Sequence, residues 1–386
     1  MYFSFFTFHF SFKAFLLKKF ILNIAITANL VIILAMLFTG FADLLDPRSW
    51  PIMATAGYAF PIFVLANFGM MVVWMFISKK HLLIPFLGFV VCYVPVMQFF
   101  PVHASGEVPL GALKVMTFNT WGFGGMQESV INSPQDEIPK KKEEIRKKML
   151  QYIADEDCHI VCLQEAAYSK PLQADIDTII KPKMPYFDTC TVKSGTTLMI
   201  FSKYPVRKHE VLKYESKGNM SAAFFLDVNG KELIVINNHL ETNAFSKEEK
   251  SQFGEMVKGD MGRSEIKSES KFILKKLGAA AAIRAPQADA VASFVRMHKG
   301  RSMIVCGDFN DIPLSYARRT IAKDLVDCYV STAKGPGFTY HRNGMYVRID
   351  NVMCTDDLDP YCFRVDKKCN LSDHYPVVGW VKWHGR

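Results

Sequence analysis

The amino-acid sequence predicts an α/β domain with a mixed β-sheet, preceded by a segment that anchors the chain in a membrane. Two observations lead to this prediction. Long apolar runs without charged residues fill the first quarter of the chain, and short apolar runs bounded by turn residues alternate with helical patterns after it. Some of the short runs follow one another as hairpins and others are separated by helices, which favours a mixed sheet over a purely parallel one.

The composition changes near residue 102. Of the 46 Lys and Arg and 37 Asp and Glu in the 386-residue chain, residues 1–101 contain only six Lys or Arg, two Asp and no Glu. We therefore divide the chain into a membrane anchor, residues 1–101, and a folded domain, residues 102–386. The domain is long enough to bury a core of useful size.

Three apolar runs in the anchor are long enough to cross a bilayer. They cover residues 20–42, 57–77 and 82–100, and none contains Lys, Arg, Asp or Glu. A helix needs about 20 residues to cross a hydrocarbon core of roughly 30 Å. We predict three transmembrane helices. A cleaved signal peptide followed by two buried helices is the alternative, but the first run is longer than an ordinary signal core.

The positions of the cations predict the orientation of the anchor. Lys13, Lys18 and Lys19 precede the first run, and Lys79 with Lys80 separates the second run from the third, whereas the first connecting loop is net acidic. Cytoplasmic loops of membrane proteins are enriched in Lys and Arg. The N-terminus is therefore predicted to be cytoplasmic, and three crossings place the folded domain outside the cytoplasm, on the cell membrane.

The net charge of +9 is weak evidence for a polyanionic partner. Four of these charges lie in the anchor, so the folded domain carries only +5. The basic run at residues 140–148 pairs Glu143 with Lys147 and Glu144 with Lys148 at i,i+4 spacing, which is typical of a solvated helix face. The nine cysteines leave disulfide pairing open, because spacing alone does not define it.

Eight short apolar runs are predicted to be strands, and three longer patterns are predicted to be helices. The strands are residues 113–119, 159–164, 196–202, 221–228, 231–240, 302–309, 346–354 and 376–383, and the helices are about 139–155, 246–277 and 279–298. Asn229-Gly230 joins two of the strands and is a strong signal for a two-residue hairpin.

Polar side chains are concentrated where these strands end. The candidate functional residues are Asn119, Glu165, His239, Asp308, Asn310, Asp350, Asp373 and His374. Each one alone has a plainer explanation as a turn former, a solvated side chain or a loop cap. Together they provide carboxylate and amide oxygens for a hard divalent cation and hydrogen-bond donors for a phosphoryl group.

The order and wording of these segments resemble the endonuclease/exonuclease/phosphatase superfamily, which has the deoxyribonuclease I-like fold. The most specific motifs are GDFN at residues 307–310 and SDH at residues 372–374, and the resemblance spans roughly residues 111–384. It implies a four-layered α/β sandwich, in which two packed mixed sheets are flanked by helices. It also implies Mg²⁺-dependent hydrolysis of a phosphate ester by a membrane-anchored member of bacterial type.

The resemblance also implies a role for each candidate residue. Glu165 corresponds to the main Mg²⁺ ligand, with Asn119 and Asp373 as further oxygen ligands, direct or through water. Mg²⁺ keeps several waters and takes one or two carboxylates, so this set suits it, with Mn²⁺ as a substitute, better than Zn²⁺.

The remaining candidates correspond to the residues that act on water and phosphate. Asp308 resembles the residue that orients or deprotonates the attacking water, and Asn310 the residue that holds that water and a phosphate oxygen. His239 and His374 resemble phosphate clamps, and Asp350 resembles the partner that keeps His374 in one tautomer and cationic.

Three features leave alternatives open. Trp121 stands where some nucleases place another carboxylate, so a second metal ligand is in doubt. Arg284 and Gln287 resemble a recurring helix pair, for which helix packing is at least as good an explanation. Residues 241–278 follow His239 directly, and they form either a lid beside the site or a solvated pair of helices.

We expect a membrane-anchored phosphoesterase that cleaves a phosphodiester, with nucleic acid as the first candidate substrate. The alternatives are a lipid-headgroup or inositol-phosphate phosphodiesterase or phosphatase, and a catalytically silent module that binds a phosphate ligand. Anchoring beside the bilayer favours a lipid, and the basic excess favours nucleic acid. A transporter is disfavoured because the apolar runs contain no ionisable residue, and no protein partner is inferred.

Overall fold

A computed structural model describes residues 2–104, 106–192, 196–259 and 261–385, with side chains from Leu16 onward. The side chain of Lys13, used above for the orientation, therefore lies outside the described part. The chain forms two compact units. The first unit comprises Met1–Ala42 and Ala56–Met97, and the second comprises Asp43–Thr55 and Gln98–Arg386.

The N-terminal part of the chain is helical. Its helices are α1 (Tyr2–Gly40), α2 (Pro51–Ala54), α3 (Phe60–Ile77), α4 (Leu83–Val91) and α5 (Tyr93–Phe99), with 3₁₀ turns at Ala42–Leu44, Thr55–Ala59 and Lys79–Leu82. The short helix α2 belongs to the second unit and the longer helices α1 and α3 to the first.

Among the described residues, two helical stretches are long and apolar enough to span a membrane on their own, whereas the sequence predicts three spans. They are Leu16–Leu44 and Pro51–Ile77. The third predicted span is a pair of helices, Lys79–Val91 and Tyr93–Phe99, bent by 67° at Cys92. Pro95 explains the break, because proline has no N–H to donate to the carbonyl group four residues earlier and its ring clashes with that group.

The polar side chains inside the first unit are hydrogen-bonded to one another. Asn29 of α1 donates to the Asn67 side chain of α3 at 3.1 Å and accepts from the Trp74 indole at 2.8 Å, and Asn67 donates to the Pro85 carbonyl of α4 at 2.9 Å. Hydrogen bonds between polar side chains are a common way of joining apolar helices. The network therefore links α1, α3 and α4.

In its described residues, the second unit contains two six-stranded sheets and a two-stranded ribbon. The strands are β1 (Leu113–Asn119), β2 (Ile160–Gln164), β3 (Tyr186–Thr191), β4 (Thr197–Ser202), β5 (Val206–Val211), β6 (Met220–Val228), β7 (Lys231–His239), β8 (Met303–Asp308), β9 (Val326–Asp327), β10 (Tyr340–Arg342), β11 (Met345–Val347), β12 (Asp350–Cys354), β13 (Leu358–Val365) and β14 (Val377–Trp383). The sheet orders are β13-β14-β1-β2-β4-β3 and β5-β6-β7-β8-β12-β9, and β10 pairs with β11. Both large sheets are mixed, because β1 is parallel to β2 and β7 is parallel to β8, whereas the other pairs are antiparallel.

The second unit contains further helices, some of which cover the outer faces of the two sheets. They are α6 (Glu128–Ile131), α7 (Ile138–Asp155), α8 (Lys170–Asp175), α9 (Lys247–Lys258), α10 (Arg263–Met297), α11 (Tyr316–Ala322) and α12 (Cys328–Thr332). One buried apolar cluster lies between the sheets, a second joins the first sheet to α7 and α8, and a third joins the second sheet to α10 and α11. The α/β fold with two mixed sheets flanked by helices is thus confirmed.

The connection between β6 and β7 also agrees with the sequence. Asn229 and Gly230 both have positive φ, at 54° and 84°, and Val228 pairs with Lys231 across the turn. Positive φ at both central residues is the requirement of a type I′ hairpin. The predicted two-residue hairpin is confirmed.

The long helix α10 differs from the prediction, which broke it at Gly278. The helix runs through Gly278, and the break lies at Gly259, whose φ of 83° ends α9. A Cβ atom at position 278 would lie 2.7 Å from the carbonyl oxygen of Pro51. Gly278 therefore permits close packing against the segment Asp43–Thr55 and does not end the helix.

Candidate active site

The two parallel strand pairs bring the candidate residues to one edge of the sandwich. Asn119 at the end of β1 is in register with Gln164 at the end of β2, which places Glu165 directly beyond. His239 at the end of β7 is in register with Asp308 at the end of β8. Sites in α/β folds commonly lie at the carboxyl ends of parallel strands, which is where these side chains meet.

Asp308 lies at the centre of this group. Its Oδ2 atom accepts a hydrogen bond from the Asn119 side-chain amide at 3.0 Å and lies 3.8 Å from Nε2 of both His239 and His374. Its Oδ1 atom accepts from the backbone N–H of Asn310 at 2.8 Å. Asp308 is 1% exposed. Burial raises the pKa of its carboxyl group, the nearby Asp350 raises it further, and the two imidazoles partly offset this.

His374 is held by Asp350. Nδ1 of His374 donates to Oδ2 of Asp350 at 2.8 Å, so Nε2 faces Asp308. Burial alone would lower the pKa of His374, but the adjacent carboxylates of Asp350 and Asp308 outweigh it and raise the pKa to about 10. The imidazole is therefore cationic at neutral pH.

His239 and Asn310 complete the part of the site predicted to act on water and phosphate. Nε2 of His239 lies 3.5 Å from Oε1 of Glu165, and its buried Nδ1 has no hydrogen-bond partner among the described residues. The Asn310 side chain donates to the carbonyl oxygen of Leu240 at 2.9 Å. That bond holds the amide beside the end of β7, next to Asp308.

The three predicted metal ligands lie in the same group but differ in their contacts and exposure. The Asn119 amide donates to Oε1 of Glu165 at 3.0 Å, while its oxygen accepts from the N–H of Trp121 at 3.1 Å. Glu165 is 36% exposed and reaches outward, whereas Asp373 is buried. Burial, with the repulsion from Glu165, raises the pKa of Asp373. A bound divalent cation would relieve this repulsion between the two carboxylates.

A second group of side chains also has the composition of a metal site. Asp308, Asp350 and His374 each offer one candidate ligand atom, and these atoms lie within 4.8 Å of one another. The proton on His374 Nδ1 and the raised pKa of this imidazole oppose metal ligation, because a ligating histidine must be neutral.

The backbone at the site adopts conformations that residues with side chains rarely take. Glu165 has φ of 52° and Asn310 has φ of 53°. At Gly307 φ is 123°, and a Cβ atom would overlap the carbonyl oxygen of Asn238 at 2.0 Å, so only glycine fits there. Strained backbone of this kind is concentrated at functional sites, where the surrounding structure holds it in place.

Several residues that position the site were not among the sequence candidates. The Thr339 hydroxyl accepts from the N–H groups of Ile349 and Asp350, at 3.0 and 3.2 Å, and so fixes the start of β12. Asn237 joins the two sheets beneath the site, accepting from Gln164 at 2.7 Å and donating to the Leu163 carbonyl at 3.0 Å. The sequence signal for this link was a polar Asn237 within an apolar predicted strand, two residues before His239.

Arg284 and Gln287 hold the chain that follows β7. The Arg284 guanidinium pairs with Asp311 at 3.0 Å and donates to the Glu241 carbonyl at 3.0 Å. The Gln287 side chain accepts from the Glu241 N–H at 2.8 Å and donates to the Glu215 carbonyl at 3.0 Å. Both residues fix loops around Asp308 and Asn310, so packing and positioning explain them.

The first part of the segment 241–278 lies beside the site. Helix α9 packs on the β10–β11 ribbon, where a Cβ atom at Gly344 would lie 3.6 Å from the Val257 side chain. The Lys250 ammonium of α9 lies 5.6 Å from the centre of the Tyr340 ring, and its charge lowers the pKa of Asp373. Helix α9 is therefore part of the rim of the site.

Carboxylates, a cationic imidazole and amides at one edge of a two-sheet α/β sandwich define a hydrolase that acts on phosphate esters. The sequence profile of the endonuclease/exonuclease/phosphatase family matches residues 116–374, more than half of the chain. The chain belongs to that family, whose members are phosphoric ester hydrolases dependent on a divalent metal. A second profile, of a domain of unknown function, matches residues 18–99.

Solved structures similar to this chain carry related descriptions. An endonuclease/exonuclease/phosphatase from Bacteroides vulgatus is 17% identical, with a TM-score of 0.48 over 71% of this chain and 99% of the other. TDP2 from D. rerio, solved with a single-strand DNA product, is 12% identical, with a TM-score of 0.47 over 70% and 99%. A mannosyl-6-phosphatase from Bacteroides thetaiotaomicron is 16% identical, with a TM-score of 0.42 over 70% and 100%. A comparison with curated proteins gave no match.

Proposed function

We propose that this protein is a membrane-anchored, Mg²⁺-dependent phosphodiesterase that cleaves nucleic acid. The observation that carries the proposal is the position of Asp308, whose Oδ2 atom lies 3.8 Å from the Nε2 atoms of two histidines. A carboxylate between two imidazoles can take a proton from water while the imidazoles face the phosphate. Positioning and charge stabilisation are the main demands of phosphoryl transfer.

Each side chain has a separate role in the proposed reaction. Asp308 accepts a proton from a water molecule, the water oxygen bonds to phosphorus, and the bond from phosphorus to the leaving oxygen breaks. The leaving oxygen departs as an alkoxide and takes a proton from solvent. His374, cationic through Asp350, and His239 stabilise the charge on the phosphoryl oxygens, and Asn310 orients the water.

Glu165 and Asp373 are the proposed ligands of the divalent cation, and Asn119 positions the Glu165 carboxylate. A bound Mg²⁺ supplies positive charge to the phosphoryl oxygens. Mn²⁺, which has the same preference for oxygen ligands, is expected to substitute for it.

The side chains at the rim favour a nucleic acid as the substrate. The guanidinium group of Arg342 lies 5.7 Å from the centre of the Trp121 ring, and Trp121 follows Asn119 closely in the loop after β1. Lys250 adds another cation on the α9 side. Single-stranded nucleic acids are bound by aromatic rings that stack on bases and by cations that contact the backbone phosphates.

The contacts of the segment Asp43–Thr55 support an extracytoplasmic domain and three crossings. Arg48 pairs with Asp289 of α10 at 2.8 Å, and Arg319 of α11 pairs with Asp43 at 3.4 Å. The Arg48 contact favours a position of residues 45–50, which join the first two spans, on the same side of the membrane as the catalytic domain. After the second span the chain must cross once more to reach that side, so we expect the bent pair α4–α5 to form the third crossing. The lysines at 79–80 favour a cytoplasmic position for the opposite side.

The proposed division of the chain keeps residues 1–101 as the anchor and residues 102–386 as the catalytic domain, with one refinement. The segment 43–55 groups with the catalytic domain. Experiments on activity therefore need the full chain, in detergent micelles, because a truncation at residue 102 would remove these contacts.

The test is the nicking of supercoiled plasmid DNA by the full-length protein with Mg²⁺, with the His374→Ala variant as the control. Nicking by the wild type that is lost in the variant supports the nuclease. Turnover of sphingomyelin or inositol phosphates without nicking would replace nucleic acid by a lipid headgroup or a small ester. Phosphate binding without turnover of any of these would contradict the enzyme and leave a binding module.

A further inference from the structure

Tyr340 is a buried aromatic residue at the active site that the mechanism above does not use. It begins β10, is 8% exposed and forms an isolated backbone bridge with His374. Its ring lies edge-on to the His374 imidazole, with 5.2 Å between the ring centres and 75° between the planes. The tyrosine therefore packs directly on a histidine that faces the substrate phosphate.

The hydroxyl group of Tyr340 has no hydrogen-bond partner among the described residues, although it is buried. A buried hydroxyl without a partner is costly, so such a group in a folded protein calls for a ligand, an ion or an ordered water. Most buried tyrosine hydroxyls have a partner within the protein. The missing partner of Tyr340 is thus evidence for a group that binds at this place.

The surroundings of the ring indicate what kind of group binds. Burial, followed by the charge of Asp373, raises the pKa of Tyr340, and Asp308 and Glu165 add to the effect. Three carboxylates of the site thus lie near the phenol. The phenol stays protonated at neutral pH, so it can donate a hydrogen bond to an anionic oxygen.

Lys250 adds positive charge on the same side. Its ammonium group lies 5.6 Å from the centre of the Tyr340 ring, and it also acts on Asp373. An ammonium and a phenolic donor beside an imidazolium form a set of donors suited to the oxygens of a phosphoryl group.

We propose that the Tyr340 hydroxyl donates a hydrogen bond to a non-bridging oxygen of the substrate phosphoryl group. This inference rests on the proposed function, because it places the phosphate between Asp308 and His374. The tyrosine keeps its proton throughout, and no bond to it is made or broken. The ring orients His374 in addition, but that part of its role does not need the hydroxyl.

The test compares Tyr340→Phe with the wild-type full-length protein, because phenylalanine retains the ring that packs on His374. The matched control is Tyr346→Phe, on the neighbouring strand of the same ribbon, where the side chain is 59% exposed. Hydrolysis of bis(4-nitrophenyl) phosphate gives kcat and KM, and thermal unfolding verifies the fold. We expect Tyr340→Phe to lower kcat about 100-fold, as for removal of one donor to an oxyanion, with an unchanged unfolding temperature.

Binding of inorganic phosphate, measured by calorimetry with Mg²⁺, tests the inference separately from turnover. We expect Tyr340→Phe to weaken phosphate binding about tenfold, the effect of one hydrogen bond to a charged group. Equal kcat and equal phosphate affinity in Tyr340→Phe and wild type would overturn the inference. A wild type that binds phosphate but hydrolyses no diester would overturn the proposed function, while weaker phosphate binding by Tyr340→Phe would still support the role of Tyr340.

Discussion

Nδ1 of His374 donates a hydrogen bond to Asp350 across 2.8 Å, and both side chains are buried. The bond fixes the ring so that Nε2 faces Asp308. It also supplies the negative charge that keeps the imidazole protonated. The pair therefore controls both the direction and the charge of a group proposed to face the phosphate.

Replacing Asp350 by asparagine is expected to lower kcat about 100-fold or more. Rate losses of this size are typical when a catalytic group is misplaced or loses its charge. Asparagine has nearly the shape of aspartate but lacks the charge that stabilises the imidazolium. The measurement is the steady-state rate of phosphodiester hydrolysis by the full-length variant.

The control for this prediction is Asp359→Asn. Asp359 contacts His384 at 2.8 Å, but the two side chains are 48% and 55% exposed. An exposed pair of this kind contributes little. Equal rates for the two variants would show that Asp350 acts no differently from a surface carboxylate.

Glu165→Gln is expected to raise the Mg²⁺ concentration for half-maximal activity by at least about tenfold, the order seen when metal sites lose a supporting interaction. The substitution removes one of two neighbouring carboxylates. EDTA-treated protein titrated with Mg²⁺ provides the measurement, together with calorimetry of Mg²⁺ binding without substrate.

Two further variants make this test specific. Glu144→Gln, at an exposed carboxylate paired with Lys148, is expected to leave Mg²⁺ binding unchanged. Asp350→Asn is also expected to leave it nearly unchanged. If Asp350→Asn weakens Mg²⁺ binding and Glu165→Gln does not, the cation binds instead at Asp308, Asp350 and His374.

Arg284→Met is expected to lower the free energy of unfolding by about 3–5 kcal/mol, because the Asp311 carboxylate loses its buried guanidinium partner. Arg284 and Asp311 are 1% and 5% exposed in their side chains. Urea unfolding in detergent micelles, followed by tryptophan fluorescence, measures the effect.

The comparison for the stability prediction is Arg207→Met, whose partner Asp227 lies on the surface at 2.6 Å. A change of no more than about 1 kcal/mol is expected there. A similarly small loss for Arg284→Met would mean that the loops around Asp308 do not depend on this ion pair.

The proposed topology predicts a difference in labelling between two engineered cysteines. Lys367→Cys, in an exposed loop of the catalytic domain, should react with a membrane-impermeant maleimide in intact cells. Lys80→Cys, in the exposed turn before α4, should react only after permeabilisation. The unsubstituted protein, whose cysteines are buried apart from the half-buried Cys362, provides the background.

Labelling of both engineered cysteines from outside would contradict three crossings. It would mean that the segment after the second span does not start in the cytoplasm. Labelling of neither, with the protein present in the membrane, would place the catalytic domain inside the cell.

The candidate residues at strand ends could be predicted because the positions depend on local pattern. Asn119 and Asp308 each end an apolar run, and parallel strands bring such ends to one edge. The predicted and observed boundaries of strands such as β1 and β7 agree to within a residue or two. Buried strands leave a continuous apolar signal in the sequence.

The edge strands escaped prediction because they carry little apolar signal. β5 has the sequence VRKHEV and is largely exposed, and β3, an edge strand of the other sheet, is likewise half polar. β13 includes Pro360, which is tolerated because β13 is an edge strand. Charges and proline on edge strands also prevent pairing with other chains.

The role of Tyr340 and the packing of the segment 43–55 depend on contacts between distant parts of the chain. Tyr340 lies in a three-residue strand, too short to leave a periodic pattern, and its site partner His374 is 34 positions away. Arg48 meets Asp289 across 241 positions. Local composition reveals neither contact, because each one joins residues that are far apart in the sequence.

The most direct test of Asp308 as the base of a phosphodiesterase is the Mg²⁺-dependent release of 4-nitrophenolate from bis(4-nitrophenyl) phosphate by the full-length protein and by Asp308→Asn. Asparagine preserves the shape of the residue and removes its ability to take a proton. We expect release by the wild type, loss of release with EDTA, and a reduction in kcat of about 100-fold or more in the variant. Absence of release by a folded wild-type protein that binds metal would contradict the phosphodiesterase. Equal release by Asp308→Asn would contradict the role of Asp308 as the base.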